Sequence, residues 1–164
     1  MRRIFGFVFA VLLTGCAISP FESFDIPPGT ARDAVIARLG SPGNVVRLPE
    51  GGERLQYSLQ PAGQAAWMVD LDADRKVVRT YQALTEKNFN RIVPGQWTRA
   101  DVEREFGRPA WVDRVATWDG PIMNYRWQDA GSGDMFYWVY LDGQGVVRRA
   151  HPGMEYIRAP DFRR

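Results

Sequence analysis

Few side chains of this 164-residue chain are equipped for covalent or acid–base chemistry. Cys16 is its only cysteine and His151 its only histidine, so a zinc centre, a cysteine–histidine dyad and a serine–histidine dyad all lack parts. His151, just before Pro152 and near an expected strand end, reads as a surface residue. Gly131-Ser132-Gly133-Asp134 has turn chemistry, and no Lys-Ser/Thr follows it as a phosphate loop would require. Four carboxylates remain, Asp119, Asp129, Asp134 and Asp142, two of which would serve a hydrolase if they faced one another across a cleft. Most of them stand in turn sequences, where aspartate is favoured for its hydrogen bonds to the backbone. The composition therefore points away from an enzyme, and no metal or cofactor is expected.

Cys16 has a more specific context. An apolar run from Ile4 to Leu13, led by Arg2 and Arg3, ends in Leu13-Thr14-Gly15-Cys16. About ten apolar residues are too few to span a bilayer as a mature helix but suit a secretory leader with small residues at its cleavage point. An unpaired thiol exported to an oxidising compartment would be a liability unless it were modified. The tetrad resembles the lipobox of bacterial lipoproteins. That resemblance implies removal of residues 1–15, a thioether-linked diacylglycerol on Cys16 and an acyl group on its new amino terminus. Ala17 and Ile18 follow where an acidic residue would signal retention at the inner membrane, which is similar to lipoproteins released to the outer membrane.

Loss of that leader changes the charge balance. The excess of 21 basic over 19 acidic residues is Arg2 and Arg3, so the mature chain carries no net formal charge. A nucleic-acid partner is not expected on electrostatic grounds. The late arginines Arg148, Arg149, Arg158, Arg163 and Arg164 read as a solvated tail rather than a phospholipid contact. No second apolar run has the length of a membrane span, so the expectation is a periplasm-facing body held to the membrane through Cys16.

Internal repetition sets the fold. Residues 29–42, from Gly29-Thr30 through Val35 and Leu39 to Gly40-Ser41-Pro42, recur one residue longer as 95–109, from Gly95 through Thr98, Asp101, Val102 and Phe106 to Gly107-Arg108-Pro109. Thr30 with Asp33, and Thr98 with Asp101, are placed to cap a helix start. Val35 with Leu39, and Val102 with Phe106, fall on one helical face, and the glycine and proline then stop the helix. Downstream, Arg54–Leu59 matches Asn124–Trp127, Ala66–Asp72 matches Phe136–Asp142, and Lys76–Arg79 matches Gly145–Arg148. Their alternation of apolar and polar residues, punctuated by turn residues, predicts antiparallel strands in hairpins. A weaker strand is expected at Val45-Val46-Arg47, with a counterpart at Val112-Asp113-Arg114. Leu84 to Ile92 supplies a further helix before the later copy, while the earlier copy offers only Phe21-Glu22-Ser23-Phe24 there.

The expected architecture is α+β: two tandem helix-helix-three-strand repeats, with antiparallel sheets and helices packed on one face. Its bounds are a leader at 1–15, a tether at 16–27, repeats at 28–80 and 81–150, and a tail at 151–164. The helix entry at Gly-x-x-Thr or Gly-Thr, the Val-x-x-x-Leu/Phe-Gly-x-Pro exit, the aromatic strand and the acidic residue before Val-Val resemble the SmpA/OmlA family. Its outer-membrane member BamE belongs to the barrel-assembly machinery. The tandem layout is also similar to that of β-lactamase inhibitor protein. The SmpA/OmlA pattern has one unit where this chain has two, and no counterpart of the BamE partner-contact segments is visible. The resemblance implies a non-catalytic outer-membrane lipoprotein that binds protein, in outer-membrane assembly or envelope maintenance. A periplasmic inhibitor or ligand-binding protein is the alternative.

Comparison of the copies singles out candidate contact residues. Trp67, Val69 and Leu71 should face the helices, leaving Ala66, Met68, Asp70 and Asp72 on the open side; in the later copy the open set becomes Phe136, Trp138 and Tyr140. Arg126, in the outward register of the neighbouring strand, is placed as a cation-π partner for these rings. Tryptophan, tyrosine and arginine together have the composition of a binding hot spot. The same rings would form an internal core if the other repeat, Trp97, Trp111, Trp118 or the tail covered them.

Overall fold

The computed structural model describes residues 24–155; Cys16, the leader and residues 156–164 lie outside the described residues. The order of elements repeats once. The first unit holds helix α1 (Arg32–Leu39) and strands β1 (Asn44–Arg47), β2 (Glu53–Ser58), β3 (Ala66–Leu71) and β4 (Val77–Gln82). The second holds α2 (Glu86–Phe89), α3 (Arg99–Phe106), β5 (Trp111–Asp113), β6 (Ile122–Gln128), β7 (Asp134–Leu141) and β8 (Val147–Met154). Each unit forms one four-stranded antiparallel meander, β1-β2-β3-β4 and β5-β6-β7-β8. The strand beyond the expected three in each unit is the first, the short edge β1 or β5, formed by the weakly patterned segments around Val45 and Val112.

The duplication extends to individual bonds. The Tyr57 hydroxyl donates to the Gly40 carbonyl at 3.0 Å, and the Tyr125 hydroxyl donates to that of Gly107 at 2.9 Å. In both sheets the register slips at the same place, between Asp70 and Leu71 and between Tyr140 and Leu141. Gly40 and Gly107 end their helices at φ 81° and 79° with ψ near 180°, a conformation essentially reserved for glycine. Phe24 stacks on Trp67 with centroids 5.0 Å apart, as Phe89 stacks on Tyr137 at 4.0 Å. Phe24 and Ile26 thus belong to the first core although they fall within the segment expected as a tether.

The helix caps differ between copies. Thr98 and Asp101 form the full capping box. Thr30 does not cap α1: Ala31 holds the cap position without a side-chain bond, and the Thr30 hydroxyl donates back to Pro27. The backbone equivalences explain this, since Thr30 and Trp97 receive the same bond from Val77 and Val147, which makes Ala31 the counterpart of Thr98.

The two units stack face to back. The core under α1 joins Val35 to Leu55, Val69, Leu71 and Val77 on one side of the first sheet. The second core joins Phe89, Val102 and Phe106 to Tyr125, Trp127, Tyr137 and Val139 of the second sheet, and also to Ala66 and Met68 of the first. The side of the first sheet expected to be open is therefore covered by α2 and α3. Arg54 and Gln56 on that side donate to the carbonyls of Glu103 and Arg104 near the C-terminal end of α3, at 2.9–3.0 Å. The negative end of the helix dipole meets buried donors there. The layers run α1, first sheet, α2–α3, second sheet.

Candidate binding face on the second sheet

The outward register of β6, β7 and β8 is fixed by the pairings Asn124↔Trp138↔His151 and Ile122↔Tyr140↔Arg149. Tyr125, Trp127, Tyr137 and Val139 point to the helices, so Phe136, Trp138 and Tyr140 stand on the opposite side, each partly exposed. Among the described residues no helix is packed there. Their neighbours extend the row: Trp111 meets Phe136 at 5.4 Å, Phe136 meets Trp138 at 5.8 Å, and Trp118 meets Tyr140 at 5.2 Å. Trp111 and Trp118 flank the face; Trp97 packs instead beside Phe106 in the inner core.

His151 closes the row. It lies 5.3 Å from Trp138 and is stacked on Tyr140 at 5.5 Å and 19°. The strand was expected to end before it, but β8 runs on to Met154, so residues 151–154 belong to the sheet rather than to a tail. Half-buried His151 is thus part of the aromatic cluster and not an isolated surface group. Gly153 matters for the same reason: a Cβ there would stand 2.2 Å from Cζ3 and 2.5 Å from Cη2 of Trp138, so the indole lies over the bare backbone of β8.

The cation of the face is Arg149, whose guanidinium sits 4.8 Å from the Tyr140 centroid. Arg126, expected over the rings, is held elsewhere. It pairs with Glu155 at 2.9 Å and donates to the Pro61 and Ala62 carbonyls. Its own backbone N–H and C=O are met by the Gln60 amide, so Arg126 locks the β2–β3 hairpin to the second sheet. Outward Asn124 is buried and donates to Asp113 and to the Ile122 carbonyl.

The remaining titratable clusters are occupied with structure. Asp129 accepts from the backbone of Gly131 and Gly133, and Asp142 from Gln144 and Val146. The bond from Val146 leads in holding the Asp142 carboxyl below its ordinary value, with Arg148 adding to it. Arg148, expected in a solvated tail, pairs with Asp142 at 2.7 Å. A cleft of about 570 Å³ between the units is lined by Arg54, Asp70, Arg79, Arg104 and Glu105, among others. Arg54 contacts Asp70 at 2.6 Å and Glu105 at 3.3 Å, while Arg79 contacts Asp70 at 2.8 Å, so these charges answer one another. Burial opposes the Arg54 charge, but the Asp70 hydrogen bond and the nearby Tyr81, Asp70 and Glu105 outweigh it and hold the guanidinium above its ordinary value. Among the described residues no group of three or more histidine, cysteine or carboxylate side chains is arranged to hold a metal, and no helix is long and apolar enough to cross a membrane.

No protein-family model matches the chain, and no curated protein does. Two solved structures show a remote likeness. One is a DUF4309 family protein (YjgB) from Bacillus subtilis, 13% identical, covering 77% of this chain and 79% of that one, with a TM-score of 0.32. The other is an extracellular protein containing an SCP domain from Bacillus anthracis, 13% identical, covering 92% of this chain and 50% of that one, with a TM-score of 0.31. At these scores neither informs the fold or the function of this chain.

Proposed function

We propose that this chain is a non-catalytic outer-membrane lipoprotein, anchored through Cys16 and facing the periplasm, that binds another protein with the outer face of its second sheet. Its place is in outer-membrane protein assembly or envelope maintenance, as the SmpA/OmlA resemblance implies. The observation that carries the binding reading is an asymmetry between two equivalent faces. The first sheet presents Ala66, Met68, Arg54 and Gln56 to α2–α3, whereas the second presents Phe136, Trp138 and Tyr140 with no helix over them among the described residues. Large rings bury much area for little lost side-chain freedom, which is what an interface anchor needs. The geometry also supports a partner away from the anchoring membrane. Phe24, where the described chain begins, packs on the α1 side of the first sheet, so both sheets and the helix layer separate it from the aromatic face.

The test has two arms. Cys16→Ser should release the protein from envelopes, and a variant that still sediments with membranes refutes the anchor. Changing Trp138 and Tyr140 together to alanine should abolish cross-linking to its envelope partner while leaving the melting transition cooperative; loss of the fold would make the rings core, and unchanged cross-linking would move the interface elsewhere.

A further inference from the structure

The two sheets carry the same arginine in the same register, and among the described residues only one has its counter-ion. In the first sheet Arg79 lies opposite Asp70, bonds it at 2.8 Å, and stacks 4.8 Å from the ring of Tyr81. In the second, Arg149 lies opposite Tyr140 at the equivalent point before the register slip, and stacks 4.8 Å from that ring. Tyr140 stands where Asp70 stood, Ile122 where Arg54 stood, and His151 where Tyr81 stood. The duplicated frame has kept the cation and replaced its carboxylate by an aromatic ring.

The surroundings of Arg149 do not replace the missing charge. One guanidinium nitrogen lies 2.8 Å from His151 Nε2, and His151 Nδ1 lies 3.1 Å from the Pro152 carbonyl, an arrangement that fits a ring protonated on Nδ1 and accepting at Nε2. The carboxylates nearest in register are engaged: Asp113 accepts from Trp111 and Asn124, and Asp142 from Arg148. Among the described residues Arg149 has no ion pair. Beside it, the Trp138 indole lies across Gly153.

Resting on the protein-binding reading, we propose that the partner presents to this face a carboxylate side chain next to an apolar one. The carboxylate pairs with Arg149 as Asp70 pairs with Arg79, and the apolar group lies on Trp138. The first sheet supplies the precedent: α3, the element that covers it, brings Glu105 to Arg54 together with the apolar surface of Val102 and Phe106. Charge complementarity across such a face sets partner choice, and apolar contact with the rings supplies affinity.

The experiment is selection of a phage-displayed random dodecapeptide library on the full lipidated protein in phosphatidylcholine nanodiscs, with the Trp138→Ala protein as the control. Peptides that need Trp138 should be enriched in Asp or Glu adjacent to an aromatic, aliphatic or prolyl residue. A synthetic peptide of that consensus should bind about tenfold more weakly after Arg149→Gln, and by a similar factor when its own Asp is changed to Asn. The two changes together should cost no more than either alone, and Arg149→Lys should restore part of the affinity. Trp138-dependent peptides without acidic enrichment, or equal affinity of the Asp and Asn peptides, overturn the proposal while leaving the binding face standing. Selection that ignores Trp138 overturns the protein-binding reading and this inference with it. Trp138-dependent retention of polygalacturonate with no peptide selected would do the same and make the ligand an acidic glycan.

Discussion

Gly153→Ala is a small change with a locatable effect. Carbon atoms in contact stand about 3.5–4.0 Å apart. The added Cβ would lie 2.2 Å from Cζ3 of Trp138, so that edge of the indole must move by more than an ångström. Trp138 is partly exposed and β8 is held to β7 over its length, so the ring yields by swinging outward while the strand stays. Lost ring contact costs about 0.5–1.5 kcal/mol and an off-rotamer indole a similar amount. Replacing glycine in a strand returns about 0.5–1 kcal/mol. The net loss is about 1 kcal/mol, or roughly 2–4 °C in Tm for a chain of this size. Thermal unfolding read by far-UV circular dichroism gives the number, and the near-UV band gives the displaced indole. The decisive comparison is the same substitution in a Trp138→Ala background, where no ring stands in the way and the alanine should be neutral or slightly stabilising. If Gly153→Ala costs the same with and without Trp138, the indole does not lie on that glycine, and the platform argument fails.

Arg54→Met should destabilise the chain by about 3 kcal/mol in urea unfolding, the low end for breaking a buried pair, because Asp70 keeps Arg79. A loss below 1 kcal/mol would show that α3 does not depend on Arg54 to seat its carbonyls on the first sheet. Asp101→Asn should cost about 1 kcal/mol at neutral pH through the lost capping box. The bond from the Thr98 hydroxyl leads in lowering the Asp101 carboxyl from its ordinary value, so its contribution is complete above about pH 4 and is lost as pH falls through the lowered value in the folded protein. Stability curves of wild type and variant measured from pH 6 downwards should therefore converge only below pH 4; a gap that closes between pH 6 and 5 contradicts the assignment.

Much of the molecule was legible because its signals are local. Alternation through Trp67, Val69 and Leu71 and through Tyr137, Val139 and Leu141 gave the strands their inward faces, and Gly40 and Gly107 marked where the helices had to stop. Thr98 and Asp101 read correctly as a cap for the same reason. Thr30 did not, because the extra residue of the later copy lies before the cap, and alignment by residue type placed it one position too late. The first strand of each sheet, three or four residues long on an edge, carried too little pattern to be counted among the three strands of each repeat. Arg149 and His151 were missed on the face because Arg149 read with the solvated tail and the repeat was bounded at residue 150, whereas β8 is an edge strand that tolerates Pro152 and uses Gly153 to seat an indole. What covers the first sheet is a contact between repeats, which no local pattern reports. The hint was present in Ala66 and Met68, apolar residues at positions that alternation had turned outward.

Stacking of the two units explains why the later copy is the one free to change. In the earlier copy the outward positions meet α2–α3, and Arg54, Gln56 and Asp70 must match the end of α3. A substitution there leaves a buried charge short of a partner, which costs kilocalories. In the later copy no further helices cover the sheet among the described residues, so Ile122, Asn124, Tyr140 and Arg149 answer to no helix end there, and Asn124 satisfies its amide within its own sheet. The second sheet carries Ile122 and Asn124 where the first carries Arg54 and Gln56, so it lacks the arginine that donates to the end of α3 on the first sheet. It presents instead a continuous row of rings with one cation, Arg149, that has no ion pair among the described residues. An outer face relieved only of its stacking duty would be expected to become polar, since an exposed apolar surface invites aggregation. The opposite composition, on a frame that repeats the tyrosine–glycine bond of the first unit, is what the proposed binding face requires.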